Sequence, residues 1–137
     1  MLVYKLFRVR KDGSLGPLFI NARKRIELGT WYEAENHPTR GYAHRPGWHS
    51  GLAPKADHLT EKGRTWVECQ VTDREYTLQR DGFMFDRSGD MRQIPYNGYY
   101  KWRRPAHQGG TWIISGELRP IRILELDEVL AIRSLVN

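Results

Sequence analysis

The chain has 137 residues, of which 39% are hydrophobic and 28% are charged, and its formal net charge is +6. These values are ordinary for one soluble domain with a sizeable core. The single cysteine, Cys69, excludes an internal disulfide and any multi-cysteine metal site. No apolar run approaches membrane-spanning length and no signal peptide is recognised, so we expect a cytoplasmic protein. The basic balance favours anionic partners, although a charge of this size also serves solubility.

Strand signals dominate the first half of the chain. The Asp12-Gly13 pair is typical of a turn between strands, and residues 54–59 are compatible with one helical turn. The clearest strand is residues 64–71, in which Glu68 and Gln70 alternate with the apolar Val67 and Val71. Cys69 belongs to the apolar set, which favours a small core residue over a nucleophile. The predicted strands of this half are residues 2–9, 18–20, 25–35, 48–52 and 64–71.

The second half contains a different segment and then a return to regular structure. Residues 74–108 are rich in Gly, Asp, Arg and Tyr, and are predicted to be a basic, aromatic insertion or arm. Residues 111–115 and 118–126 predict two strands, or one strand bent near Gly116. A short helix capped by Asp127 is expected at 127–136. The whole chain is therefore predicted to be a single β-rich domain, residues 1–137, of the α+β or all-β class.

A histidine-rich segment follows the third predicted strand. Residues 37–58 contain four of the five histidines, with three prolines and three glycines between them. The spacing matches no zinc-finger pattern, so we expect no metal here. We expect this segment to bind an anion instead, because its basic side chains and glycine N–H groups could hold a phosphate while Trp48 stacks on a ring of the ligand. The polar candidates are Arg40, His44, Arg45, His49 and Ser50.

Two basic clusters suggest binding to nucleic acid or to an acidic protein. Aromatic rings offer stacking platforms, and cations neutralise phosphates. The alternative is a solvated surface whose rings pack back onto the domain. The clusters consist of Arg23, Lys24 and Arg25, and of Tyr99, Tyr100, Lys101, Trp102, Arg103 and Arg104.

Part of the chain resembles small uncharacterised proteins encoded by tailed phages and prophages. The resemblance rests on Gly-Ser-Leu-Gly-Pro-Leu-Phe-Ile-Asn at 13–21, on 34–43 and on Arg-Pro-Gly-Trp-His at 45–49. It covers about residues 4–72 and again roughly 105–125. It implies a phage origin and assigns no activity.

The layout is also similar to the N-terminal half of small ADP-ribosyltransferase-like domains. A first strand is followed by Leu-Gly-x-Trp-Tyr, then by Gly-Trp-His-Ser and a Val-Glu strand. The resemblance implies two small, mostly antiparallel sheets with one or two short helices and an NAD-binding cleft between the sheets. It further implies that Arg8 (or Arg10), His49, Ser50 and Glu117 are catalytic, and that Arg45, Trp48 and Tyr42 bind the cofactor NAD.

Two functions have support in the sequence, and a third, a virion or structural accessory protein, has little. The first is transfer of ADP-ribose from NAD to a host macromolecule, with Glu117 stabilising the oxocarbenium-like ion and arginines holding the diphosphate. The second is a non-enzymatic basic protein that inhibits a host defence nucleoprotein complex, as anti-CRISPR proteins do, or binds nucleic acid itself. The target and the oligomeric state do not follow from the sequence.

Overall fold

The protein is described here by a computed structural model covering residues 1–18, 23–35, 46–56, 59–77, 93–103 and 110–136. These residues form a β-rich α+β fold with one antiparallel open sheet and a C-terminal helix, α1 (Leu126–Val136). The eight strands are β1 (Leu2–Val9), β2 (Leu15–Gly16), β3 (Tyr32–Glu33), β4 (Trp48–Gly51), β5 (Arg64–Gln70), β6 (Tyr99–Trp102), β7 (Trp112–Ser115) and β8 (Glu117–Ile123).

The strand order is β3-β8-β5-β1-β4-β7-β6, with β2 paired to the end of β1. The longest ladder joins β1 to β5, from Leu2 opposite Gln70 to Arg8 opposite Arg64. β1 pairs with β4 only at Tyr4 and Gly51. The predicted strands at 2–9 and 64–71 are thus confirmed to within one residue.

The order has a topological consequence at Gly116. β7 and β8 are joined by this one residue, yet β5, β1 and β4 lie between them in the sheet. Strands are roughly 4.8 Å apart, so a flat sheet would separate β7 from β8 by about four such spacings. One residue does not span that distance. The sheet therefore coils until its two halves face each other, and Ile113 of β7 and Leu118 of β8 enter the same core.

Alternation along each strand divides the side chains between two faces of the coiled sheet. The inner face carries the main core, in which Phe7 is fully buried. Burial of one such side chain stabilises the fold by about 1.5–3 kcal/mol. Further members of this core are Val3, Leu15, Ile26, Val67, Cys69, Val71, Tyr99, Ile113 and Leu118.

The outer face of β1 and β5 is covered by α1. Leu6 and Trp66 pack there against Val129 of the helix. Arg133 secures the helix, because its Nε donates to Pro54 O at 2.7 Å. No helix of the described residues is long and apolar enough to cross a membrane.

The helix begins at Leu126, one residue before the predicted start. Glu128 reaches back to accept the Glu125 N–H at 3.2 Å, which is the carboxylate half of a capping box. Asp127, the predicted cap, accepts instead from the N–H of its neighbour Glu128 at 3.0 Å. The sequence does not separate the two roles, because Asp127 and Glu128 are adjacent acidic residues and either carboxylate could accept an N–H at the start of the helix.

Three other predictions differ from the structure. The ADP-ribosyltransferase resemblance implies two small sheets, whereas the described residues form one sheet whose halves face each other, because Gly116 lets the chain pass directly between them. Of the predicted strand at 25–35, the structure contains the two residues of β3 and a single bridge between Ile26 and Leu15. The segment predicted as an arm contains β6, a strand of the sheet. Within that segment, residues 78–92 and 104–108 lie outside the described residues.

We expect Gly116→Ala to lower the free energy of unfolding by about 3 kcal/mol, the upper end for overpacking. A Cβ at this position would lie 2.5 Å from Pro95 O and 2.9 Å from Tyr96 Cα, both of which are backbone atoms. The measurement is urea denaturation followed by far-ultraviolet circular dichroism.

The control is Gly13→Ala, at a turn with a φ of 84° and no atom within 4 Å of the added methyl. Its strain in the left-handed region is expected to cost about 1 kcal/mol. A loss at Gly116 no greater than the loss at Gly13 would contradict the proposed close approach.

Candidate functional site

Arg8 lies near the end of β1 on its outer face. The guanidinium is exposed, and Nη2 donates to Leu18 O at 2.8 Å. The residue opposite Arg8 on β5 is Arg64, so two guanidinium-bearing residues stand side by side. Arg10, the alternative to Arg8, bonds to Leu15 O at 2.7 Å and to Lys24 O at 2.9 Å. Arg10 therefore holds the turn region together, while Arg8 remains placed to contact an anion.

His49 and Ser50 are consecutive residues of β4, so their side chains point to opposite faces of the sheet. The His49 ring meets the Trp112 ring edge-on, with centroids 6.3 Å apart. Ser50 is 1% exposed on the inner face, and its Oγ donates to Ile113 O at 3.4 Å. The structure therefore does not bring this imidazole and this hydroxyl together on one face.

Glu117, the first residue of β8, is engaged in backbone contacts. Both carboxylate oxygens accept the Asn97 N–H, at 3.0 and 2.9 Å, and Oε2 also accepts from the Thr72 hydroxyl at 3.5 Å. Asn97 has a φ of 59°, the left-handed conformation that non-glycine residues adopt infrequently. The carboxylate thus holds a tight turn against the start of β8.

The predicted cofactor-binding residues are only partly described. The Trp48 side chain is partly buried against the main core, and its Nε1 donates to Tyr32 O at 3.0 Å. The rings of Trp48 and Tyr32 meet edge-on, with centroids 6.5 Å apart. Tyr42 and Arg45 lie outside the described residues, as do His37, His44, His58 and Arg40 of the histidine-rich segment. Within the described part of the chain, no three potential ligands are grouped as a metal site would require.

The first predicted basic cluster lies on the surface beside β2. Arg23 and Arg25 are exposed, and Arg25 Nη2 lies 3.0 Å from Asp12 Oδ2. Hydrogen bonds from Ser14, with further help from Arg25, hold the pKa of Asp12 well below its usual range. Lys24 is partly buried, with Nζ 5.1 Å from the centre of the Tyr32 ring.

The second predicted cluster is largely part of the sheet. Tyr99 is 7% exposed and Tyr100 is 4% exposed, so neither ring is available as a stacking platform. Burial raises the pKa of Tyr99. Lys101 Nζ lies 3.8 Å from Glu75 Oε1 in an exposed pair. Trp102 is partly buried and Arg103 is exposed, while Arg104 lies outside the described residues.

Three segments meet at one end of the sheet, which we call the basic end: residues 8–16, 23–27 and 60–64. Val9 N donates to Gly63 O at 2.9 Å, and Ile26 N donates to Leu15 O at 3.0 Å, so the backbone ties all three together. These segments contain eight Lys and Arg residues and three carboxylates, which gives them a formal charge of +5. The chain as a whole carries +6, so nearly all of the excess charge is concentrated here.

The sequence predictions missed Lys5, which lies on the inner face of β1. Its Nζ donates to His49 O at 2.7 Å, where β1 and β4 have separated beyond their one paired position. Desolvation by burial lowers the pKa of Lys5 to about 8. The signal was present, because Lys5 has the same parity along the strand as the apolar Val3 and Phe7.

We expect Glu117→Ala to lower the free energy of unfolding by about 1–3 kcal/mol, because it leaves the Asn97 N–H without its acceptor. Glu33→Ala is the matched control, since Glu33 faces Glu117 across the β3–β8 ladder and is exposed. We expect the control to change stability by less than about 0.5 kcal/mol. Thermal and urea unfolding of both variants measure the difference, and equal losses would refute a special structural role for Glu117.

No family model, no curated protein and no solved structure matches this chain.

Proposed function

We propose that the protein is a non-enzymatic nucleic-acid-binding protein that contacts the phosphate backbone through its basic end. The observation that carries this proposal is the concentration of a +5 formal charge in three segments tied together at one end of the sheet. Charge gathered on one side of a small domain attracts a polyanion far more effectively than the same charge spread over the surface.

The arrangement of Arg8 and Arg64 supports the same proposal. Like charges directly opposite each other on neighbouring strands destabilise a sheet. Here the guanidinium of Arg8 donates to a carbonyl, that of Leu18, and no carboxylate of the described residues lies within 4 Å of it. A phosphate placed over Arg8 would accept charge-assisted hydrogen bonds from its guanidinium.

Recognition without base-specific contacts is the form of binding that these groups favour. Arginine and lysine bound to phosphate position a protein on nucleic acid but read no sequence. The predicted stacking platforms, Tyr99 and Tyr100, are buried in the sheet. The proposed binding is therefore chiefly electrostatic and strongly dependent on salt.

The transferase hypothesis has less support from the site. Glu117 is committed to the Asn97 N–H, and Ser50 is buried on the face opposite to the His49 ring. ADP-ribose transfer, NAD binding and a phage origin stay predictions. A thermal shift on addition of NAD, with label transfer to host lysate, would favour the transferase over the binding protein.

The charge-reversal variant Arg23→Glu/Lys62→Glu tests the proposal. Both residues belong to the basic end and are exposed. We expect at least about a tenfold loss in affinity for a fluorescein-labelled DNA duplex at low salt, together with a shallower dependence of affinity on salt. Fluorescence anisotropy at several salt concentrations measures both.

The matched control is Lys101→Glu/Arg103→Glu, which changes the net charge by the same amount on β6 and beside it. We expect it to weaken binding much less than the basic-end variant. Equal losses would show a general charge effect, and a larger loss in the control would move the interface to the segment around β6. Either result, or the absence of salt-sensitive binding by the unaltered protein, would overturn the proposal.

A further inference from the structure

The inner face of the sheet holds one cationic group that the proposed binding does not use. Lys5 alternates with Val3 and Phe7 along β1, and both of these neighbours are fully buried. The β1–β5 register places Val67 opposite Lys5 and Cys69 opposite Val3. Lys5 is thus a lysine among core residues, although part of its surface remains exposed.

Aromatic rings and one carbonyl surround the Lys5 amine. Nζ lies 5.9 Å from the centre of the Phe7 ring and 5.8 Å from that of the Trp48 ring. Its hydrogen bond is to His49 O at 2.7 Å. Among the residues that the structure describes, no carboxylate lies within 4 Å of this nitrogen. The rings and the carbonyl stabilise an ammonium less well than water and a counterion would, because they do not neutralise its charge.

The physical consequence is an amine that loses its proton readily. Burial lowers the pKa of Lys5 to about 8. At a pH of about 7.5, roughly a quarter of such amines are neutral, compared with about 0.1% for an ordinary lysine. The nearby titratable group is the Cys69 thiol, whose pKa is raised to about 12 by burial. That thiol stays protonated, so it neither balances the ammonium charge nor competes as a nucleophile.

A second observation on this face points to a missing polar partner. Ser115 of β7 is fully buried, and its hydroxyl has no hydrogen-bond partner among the described residues. It pairs across the ladder with Trp48, the residue whose ring contacts Lys5. Buried hydroxyls are nearly always hydrogen-bonded, so an orphan of this kind needs an explanation. A ligand oxygen on the inner face near Trp48 would supply one.

We propose that Lys5 is a reactive amine that forms an imine with a small, uncharged aldehyde or ketone. Its nitrogen lone pair attacks the carbonyl carbon, and proton transfer gives a carbinolamine. Loss of water then leaves a C=N bond to Nζ, so one carbonyl compound is consumed and one water released. The apolar side chains beside Lys5, those of Phe7, Trp48 and Val67, favour an uncharged compound. On this face the Ser50 hydroxyl already donates to Ile113 O, so the Ser115 hydroxyl is left to donate to the carbonyl oxygen before that oxygen departs as water.

Reductive trapping on the intact protein tests this site. The chain is treated with a limiting amount of propionaldehyde and sodium cyanoborohydride, which reduces the imine to a stable secondary amine. Peptide mass spectrometry then compares the six lysines, and fragment ions separate Lys5 Nζ from the α-amine of Met1. We expect Lys5 to be labelled at least about tenfold faster than the exposed Lys11 and Lys62. Its labelling should rise with pH around the pKa of about 8.

Two variants and one condition act as controls. Lys5→Arg should remove the fast label, and Lys62→Arg should leave it unchanged. If Lys5→Arg fails to fold, the pH profile of the unaltered protein still decides the matter. Labelling of Lys5 no faster than that of Lys11 and Lys62, or labelling only in urea, would overturn the proposal and leave Lys5 as a structural donor to His49 O. Imine formation does not require nucleic-acid binding, so either proposal can fail without the other.

Discussion

The close approach of the chain to itself at Gly116 is the constraint on which the rest of this fold depends. Gly116 N donates to Gly98 O at 3.1 Å, on the β6 side, and Gly116 O accepts from Ala34 N at 2.7 Å, on the β3 side. These are the two edges of the open sheet. One residue therefore joins the edges that a flat sheet would hold furthest apart. Because Pro95 O fills the place where a Cβ would lie, glycine is the residue that permits this contact.

The seam closed by Gly116 also explains why a carboxylate with a catalytic resemblance has a structural position. Glu117 follows the joint directly, and its oxygens accept the Asn97 N–H from the chain that leads into β6. The bond adds a side-chain connection beside the two backbone bonds of Gly116. A carboxylate that stabilises a ribosyl cation must instead face an open cleft and the substrate. The same residue type at the same sequence position is thus compatible with two roles, and its hydrogen-bond partners distinguish them.

The alternation of polar and apolar residues is enough to predict strands that have one polar and one apolar face. β5 alternates between Trp66 and Glu68 on the outside and Val67 and Cys69 on the inside, and the structure places them so. The sequence also predicts either two strands or one strand bent near Gly116, and the structure has two, β7 and β8. The single coiled sheet does not follow from the sequence, because strand pairing over long separations, such as that of Tyr32 with Leu118, leaves no local trace. Tyr99 illustrates the difficulty, since its surroundings are basic and polar, yet its ring is buried in the core.

The candidate site was harder to predict, because it depends on where charges gather in space. Arg23 and Arg25 form a visible cluster in the sequence, but Lys62 joins them only through the Val9–Gly63 backbone contact. Tertiary structure therefore creates a basic end out of three ordinary turns. The residues predicted to bind near β6 are less available than the sequence suggests. The rings of Tyr99 and Tyr100 are buried, and Lys101 is paired with Glu75.

Arg8 stands at the exposed basic end and Lys5 on the inner face of the sheet, and the chemistry of each side chain suits its position. At the exposed basic end, the guanidinium of Arg8 presents several donors in a fixed plane, which suits phosphate. On the inner face a guanidinium would bring a charge that it cannot lose, whereas an amine can release its proton when desolvated. Lys5 occupies that inner position, with its nitrogen between two aromatic rings. Its amine releases its proton more readily than that of an exposed lysine, and this makes it both tolerable among core residues and reactive.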